Sequence, residues 1–310
     1  MITLFSMLFP QLVVQHGGWV AMLLIVLCGV PHGATDHLLF GYVRKDFNEG
    51  WMYRFASRYL LLMGLLIVGW MILPSLALMI FLAISVYHFG QSQLYYIQLP
   101  TAVRLLLYSS WGAFALFTPL LWNYPETQPI VASLTGLDLY LPSHYQLFIP
   151  IGLALFITLS TLVLFLFDRL TVADLIWENF VLLVLLFLFS ATPLLVGFAT
   201  YFVFWHSYDS MRDQYQQFST YQPAYTLRTY IQQIIPFFFL ALLSLVGFSW
   251  WTSAPLLSDA WIGQFFMLIS IVTLPHSILM DAFLENSKAN QQNVHEKTQQ
   301  GGVEQVWQAQ

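Results

Sequence analysis

Five of the eight histidines in this chain stand inside long apolar runs, where an ionisable side chain is costly and calls for a partner. They are His32 and His37 in Gly29-Val-Pro-His-Gly-Ala-Thr-Asp-His37, His88 in Tyr87-His-Phe-Gly90, His206 in Trp205-His-Ser-Tyr-Asp209 and His276 in Leu274-Pro-His-Ser277. A neutral imidazole in a helical bundle can hydrogen-bond a neighbouring helix, pass protons, or ligate Fe, Cu, Zn or Ni. Depth helps to choose among these. His32, His88 and His276 each lie roughly 12 to 16 residues from the nearest basic residue at one helix end. At 1.5 Å per residue that is about 18 to 24 Å, near or somewhat beyond a bilayer midplane. His206 lies six residues from Arg212 and so sits shallower by this count. Hydrogen bonding alone gives no reason for matched depth, so His32, His88, His206 and His276 are expected to meet around a metal or in a proton relay. His16, His144 and His295 fall at a run's end, in a loop and in the tail, where polar side chains are ordinary.

Carboxylates accompany these histidines. Asp36 follows His32 by four residues and so shares its helical face, unless Pro31 distorts the turn. Asp209 follows His206 by three and Asp281 follows His276 by five. A metal-bound imidazole commonly donates its second N–H to such a group. Asp36, His37 and Asp209 are therefore the candidate supporting residues, Asp36 the most deeply placed. Tyr87, Phe89, Tyr95, Phe204 and Trp205 surround the same segments. They would serve either as interfacial and packing aromatics or as walls of an apolar tunnel for a long conjugated ligand, and composition leaves both open.

The elements that must carry these residues are transmembrane helices. The chain has 310 residues, 58% hydrophobic and 8% charged, with mean hydropathy +0.69. Soluble domains carry about 25% charged residues, so this composition needs lipid as the outer solvent. Scanning for windows of about 20 apolar residues gives about nine spans, 8–10 allowing for a short lead-in over 4–14. The expected fold is an all-α polytopic bundle over 1–285 with a central His-lined site and a polar, disordered cytoplasmic tail over 286–310. The segment 122–145 is expected to be a long loop, with three prolines and no Lys or Arg.

With alternating spans, all ten basic residues fall at one end of the bundle. The positive-inside rule makes that end cytoplasmic, with the N-terminus outside and the C-terminus inside a plasma (inner) membrane. Net charge of −5 offers no basic surface to nucleic acid. Cys28 has no internal disulfide partner. The apolar start lacks a basic n-region and a clear cleavage site, so no removable signal is expected.

In the blocks Gly29–His37, Tyr87–Gly90, Phe204–Ser207 and Leu274–His276 the sequence resembles the Brp/Blh family of bacterial membrane β-carotene 15,15′-dioxygenases. The resemblance implies cleavage of the central double bond of β-carotene, or a related carotenoid, by O₂ at a nonhaem Fe(2+), giving two retinals. It implies His32, His88 and His206 as iron ligands and a retinal-binding rhodopsin as a downstream acceptor. The family pattern has a further histidine four residues after the one matching His206, and here Ser210 stands there. His276 is the replacement this sequence offers, then His37, then water. Two other readings fit the same histidines, an intramembrane His/Asp proton-relay transporter and a bis-His haem protein.

Overall fold

The computed structural model describes residues 2–44, 49–222 and 224–287, and these form helices and short connections with no strand among them. Among the described residues, eight helices are long and apolar enough to cross a membrane: Pro10–Arg44, Trp51–Ile72, Pro74–Leu94, Thr101–Trp122, Ser143–Leu166, Val172–Ala191, Leu227–Thr252 and Asp259–Ser287. A further helical stretch, 194–221, lies between the sixth and seventh of these and runs as Leu194–Tyr201, a π turn Phe202–Ser207 and a polar Tyr208–Tyr221. Numbered in chain order with 194–221 as span 7, the spans run from 1 to 9. The chain is the all-α polytopic membrane bundle that its composition dictates. The polar tail expected over 286–310 falls almost wholly outside the described residues.

Local chemistry sets the boundaries. Pro10 and Pro74 occupy first turns, where the missing N–H costs nothing. Thr171 and Asp174 close a reciprocal capping box at the start of span 6. The lead-in resolves into a short helix, Ile2–Leu8, while Pro10 continues without a break into span 1 and makes it 35 residues long. Its continuity is interrupted twice. A π turn, Ile25–Gly29, precedes Pro31, which cannot donate to the turn before it. The chain then turns at Ala34 and Thr35, where the Thr35 hydroxyl donates to the His32 carbonyl at 2.7 Å.

The segment 122–145 is not a loop throughout. It holds a 12-residue helix, Tyr124–Thr135, started by Pro125 in its first turn and stopped by Gly136 at φ 71°. The three prolines suggested a loop, but a first-turn proline starts a helix. Glu126 from this helix accepts from the Leu194 N–H at 3.1 Å and so caps span 7. Half-burial raises the Glu126 pKa, and that hydrogen bond opposes the rise.

Spans 3 and 4 pack closest. A methyl group on Gly90 would overlap the Tyr108 carbonyl, and one on Gly112 would overlap that of Val86. Glycines thus let the two backbones touch, the usual device where lipid provides no hydrophobic drive between helices. Fully buried Glu178 of span 6 accepts from Gln93 and from Tyr96 at 2.9 Å, tying span 3 to span 6.

Candidate metal centre

Each histidine reaches the centre from its own span: His32 from span 1, His88 from span 3, His206 from span 7 and His276 from span 9. All four are buried. One ring nitrogen from each of His32, His88 and His206 can be chosen so that all three lie within 4.8 Å of one another. The His276 ring joins them, its centroid 4.5 Å from that of His32 and 5.1 Å from that of His88. His276 Nε2 sits 2.9 Å from His32 Nε2. That is a hydrogen-bond distance, and it is also about the separation of two nitrogens at right angles around an ion roughly 2.1 Å from each.

Asp36 stands behind His276 and not behind His32, the partner its i,i+4 spacing suggested. Its Oδ1 accepts from His276 Nδ1 at 2.6 Å, and its Oδ2 accepts from the Tyr59 hydroxyl at 2.6 Å. The turn at Ala34 and Thr35 explains the change, since a helical face does not continue through it. Tyr59 escaped the sequence reading because it lies in an apolar run of span 2, and only tertiary packing brings it to Asp36.

The donor set fits a metal on the structure's own terms. His32 Nδ1, both nitrogens of His88 and His206 Nδ1 are buried without a hydrogen-bond partner. Buried unpaired polar atoms cost about 1–3 kcal/mol each, and a metal bound among these rings would offset part of that cost. An all-imidazole set suits a borderline transition metal and is wrong for Ca or Mg, which take oxygen ligands.

The remaining candidates are distributed as follows. His37 does not join the four rings, but stacks on Phe237 of span 8 with centroids 4.0 Å apart. Asp209 is partly exposed and pairs with Arg212 at 3.1 Å, away from the imidazoles. Asp281 accepts from Tyr87 at 3.1 Å and Gln91 at 2.6 Å. Ser210 is buried, accepts from Gln214 Nε2 at 3.3 Å, and belongs to a polar chain that continues through Gln214 to Tyr230.

A cavity of about 620 Å³ abuts the four histidines. Its walls are apolar apart from the site and a few hydroxyls, and it lies within the usual small-molecule range of about 300–1,000 Å³. Of the five aromatics expected to line a tunnel, Phe89 does so. Tyr87 and Tyr95 turn instead to Asp281 and Asp213, Phe204 is 51% exposed on the outside, and Trp205 packs against the core between spans 3 and 6. Helical alternation decides this, because neighbours in sequence point to different faces. The aromatics on the wall are Phe55, Tyr59, Phe81, Phe198, Phe202 and Phe237, among others. Thr127, Ile130 and Leu134 of the helix in segment 122–145 also line the cavity.

Residues 23–284 match the sequence family described as beta-carotene 15,15′-dioxygenase. A beta-carotene 15,15′-dioxygenase of an uncultured marine bacterium, 66A03, is 36% identical over 75 residues, which are 24% of this chain and 27% of that protein. The matched stretch thus spans about a quarter of that relative's length. No solved structure matches the chain.

Proposed function

The chain belongs to the β-carotene 15,15′-dioxygenase family, and on that premise we propose that it splits the central double bond of a β-carotene-type carotenoid with O₂, using Fe(2+) held by His32, His88, His206 and His276. The observation that carries the reading is the convergence of four imidazoles from four spans at the wall of an apolar cavity of about 620 Å³. Breaking the C15–C15′ bond and giving one oxygen atom to each carbon consumes one O₂ and needs no external reductant. Bound iron would supply the activation of O₂.

The chain's own residues do the rest. Asp36 keeps a proton on His276 Nδ1 and thereby leaves Nε2 as a lone-pair donor aimed at the other rings. Tyr59 holds the second oxygen of Asp36, fixing the carboxylate. His276 thus takes the role that the histidine absent at position 210 has in the family pattern. Phe89 and Phe202 flank His206, with ring centroids 4.6 and 5.6 Å away, and Phe202 stacks almost parallel to it. These apolar neighbours keep water from the reacting bond and orient a polyene that has no polar handle. Its end groups and length can only be read by shape, so one methylene more or less would change the rate by about 10–200-fold at most.

The run Tyr59–Asp36–His276–His32 resembles a proton path, but among the described residues no further hydrogen bond extends it, and beyond His32 stand only the His88 and His206 rings of the same centre. Two opposed imidazoles across a slot would suit haem, whereas here the rings converge. Released retinal would be available to a retinal-binding rhodopsin. The decisive experiment is purification from a carotene-producing strain. Near-stoichiometric iron, loss of pigment and appearance of retinal are expected, and His88→Ala should abolish all three. Iron-loaded, folded protein that leaves every carotenoid intact would overturn the enzymatic reading.

A further inference from the structure

The cavity has one wall unlike the others. Only three of its lining residues are exposed on the outside of the bundle: Leu60, Leu240 and Ser244. Leu60 belongs to span 2 and the other two to span 8, the two least buried of the eight long apolar helices. Both are built alike. Span 2 is seated near its ends by buried Phe55 and by buried Trp70, whose indole donates to Ser270 at 2.7 Å, and no residue over 56–69 is buried. Span 8 is seated by buried Tyr230 and Ile234 at one end and by the Trp261–Ser249 hydrogen bond of 3.1 Å at the other. Over 235–248 none of its residues is buried.

The exposed middle of span 8 begins beside Pro236, which removes one helical hydrogen bond. It passes Gly247, next to which an added methyl would meet nothing within 4 Å. Between those points it rests on the bundle through the Phe237 ring stacked on His37 and through the half-buried Phe238 and Leu245. No hydrogen bond joins the described side chains of 56–69 to those of 235–248. Span 2 is also tied at Tyr59 to Asp36 and rests through Met63 and Leu66 on the cluster around Trp70. Of the two helix middles that line the cavity, the one in span 8 is therefore the less anchored.

We propose that this is a lateral portal, through which a long apolar polyene passes from the bilayer between spans 2 and 8 to the four histidines, with the 236–247 segment moving to admit it. The proposal rests on the carotenoid reading of the same cavity. It explains why the polyene need never cross water, and it gives His37 a place as the seat of the movable segment, outside the metal site.

Single cysteines at Leu60, Leu240 and, as a control, Leu155 test it in a Cys28→Ser background. Leu155 of span 5 is as exposed as the portal residues, 59% against 63% and 60%, and does not line the cavity. Each iron-free variant is reconstituted in phosphatidylcholine vesicles containing β-carotene. Uptake is followed by the visible circular dichroism of the bound polyene, before and after modification with pyrene maleimide, so each variant is its own folding control. Modification at Leu60 or Leu240 should slow uptake by about tenfold or more, equivalent to roughly 1.4 kcal/mol of added barrier. Modification at Leu155 should leave it unchanged. Equal uptake by all modified variants overturns the portal while sparing the proposed function. Failure of every unmodified variant to take up the polyene overturns both.

Discussion

His276 and Asp36 illustrate how a single proton can organise the centre. A neutral imidazole carries one N–H, and the 2.6 Å contact with Asp36 assigns it to Nδ1, so Nε2 is left with its lone pair toward His32. Asp36→Asn keeps the volume but presents an amide that is uncharged and can itself donate. Affinity of the iron-free protein for Fe(2+), or for Co(2+) as a spectroscopic stand-in, is expected to fall about 10–100-fold. Tyr59→Phe should produce a smaller loss in the same titration, since it frees only the far carboxylate oxygen. Wild-type affinity in Asp36→Asn would remove the carboxylate from the centre. At this scale the sequence was a good guide to residue types and a poor one to pairings. Buried histidines in apolar runs announce themselves by their cost, and His32, His88, His206 and His276 do converge. The pairing of Asp36 with a histidine 240 positions away has no local signature. The one local rule available, the i,i+4 face, was broken by the turn at Thr35.

Spans and their prolines were legible because hydropathy windows and first-turn proline depend on local sequence alone. The two π turns were not, since a uniformly apolar run carries no periodic signal from which a shifted register could be read. They matter: Ile25–Gly29 and Phe202–Ser207 lie against each other, and Gly29 has no side chain where Phe202 would need the space. Four of the five expected tunnel aromatics lie elsewhere for the same reason, as the facing of a helix with no polar side must come from packing, and Phe89 lines the cavity. Packing also explains the glycine of Tyr-His-Phe-Gly. Gly90 sits where span 3 touches the Tyr108 carbonyl of span 4, two residues from His88. Gly90→Ala must therefore separate two backbones, a larger disturbance than the 1–3 kcal/mol typical of one extra methylene in a core. The expected result is a lower unfolding temperature in detergent together with loss of stoichiometric iron. Gly152→Ala in span 5, where an added methyl meets nothing within 4 Å, should change neither. Equal behaviour of the two variants would show that the contact between spans 3 and 4 does not hold His88 in place.

Across the molecule, basic side chains gather at one end, while Glu126, Asp138 and Asp259 stand at the other. Arg104 of span 4 pairs with Glu285 near the end of span 9 at 2.9 Å, and Arg212 bridges Asp209 and Asp213 at the end of span 7. Tyr95 donates to Asp213 nearby at 3.0 Å, and exposed charged pairs such as these contribute little to stability. The connection 136–142, at the other end, has no Lys or Arg. Because translocation disfavours segments rich in Lys and Arg, the basic end should remain in the cytoplasm. Green fluorescent protein fused after Gln310 is then expected to fluoresce, and alkaline phosphatase fused there to be inactive. Phosphatase inserted within 136–142 should be active. The reverse pattern would invert the orientation without touching the four-histidine centre, whose geometry is the same whichever face is inside. What orientation does decide is the side on which the helix Tyr124–Thr135, part of the cavity wall, lies: with the basic end inside, it lies toward the exterior.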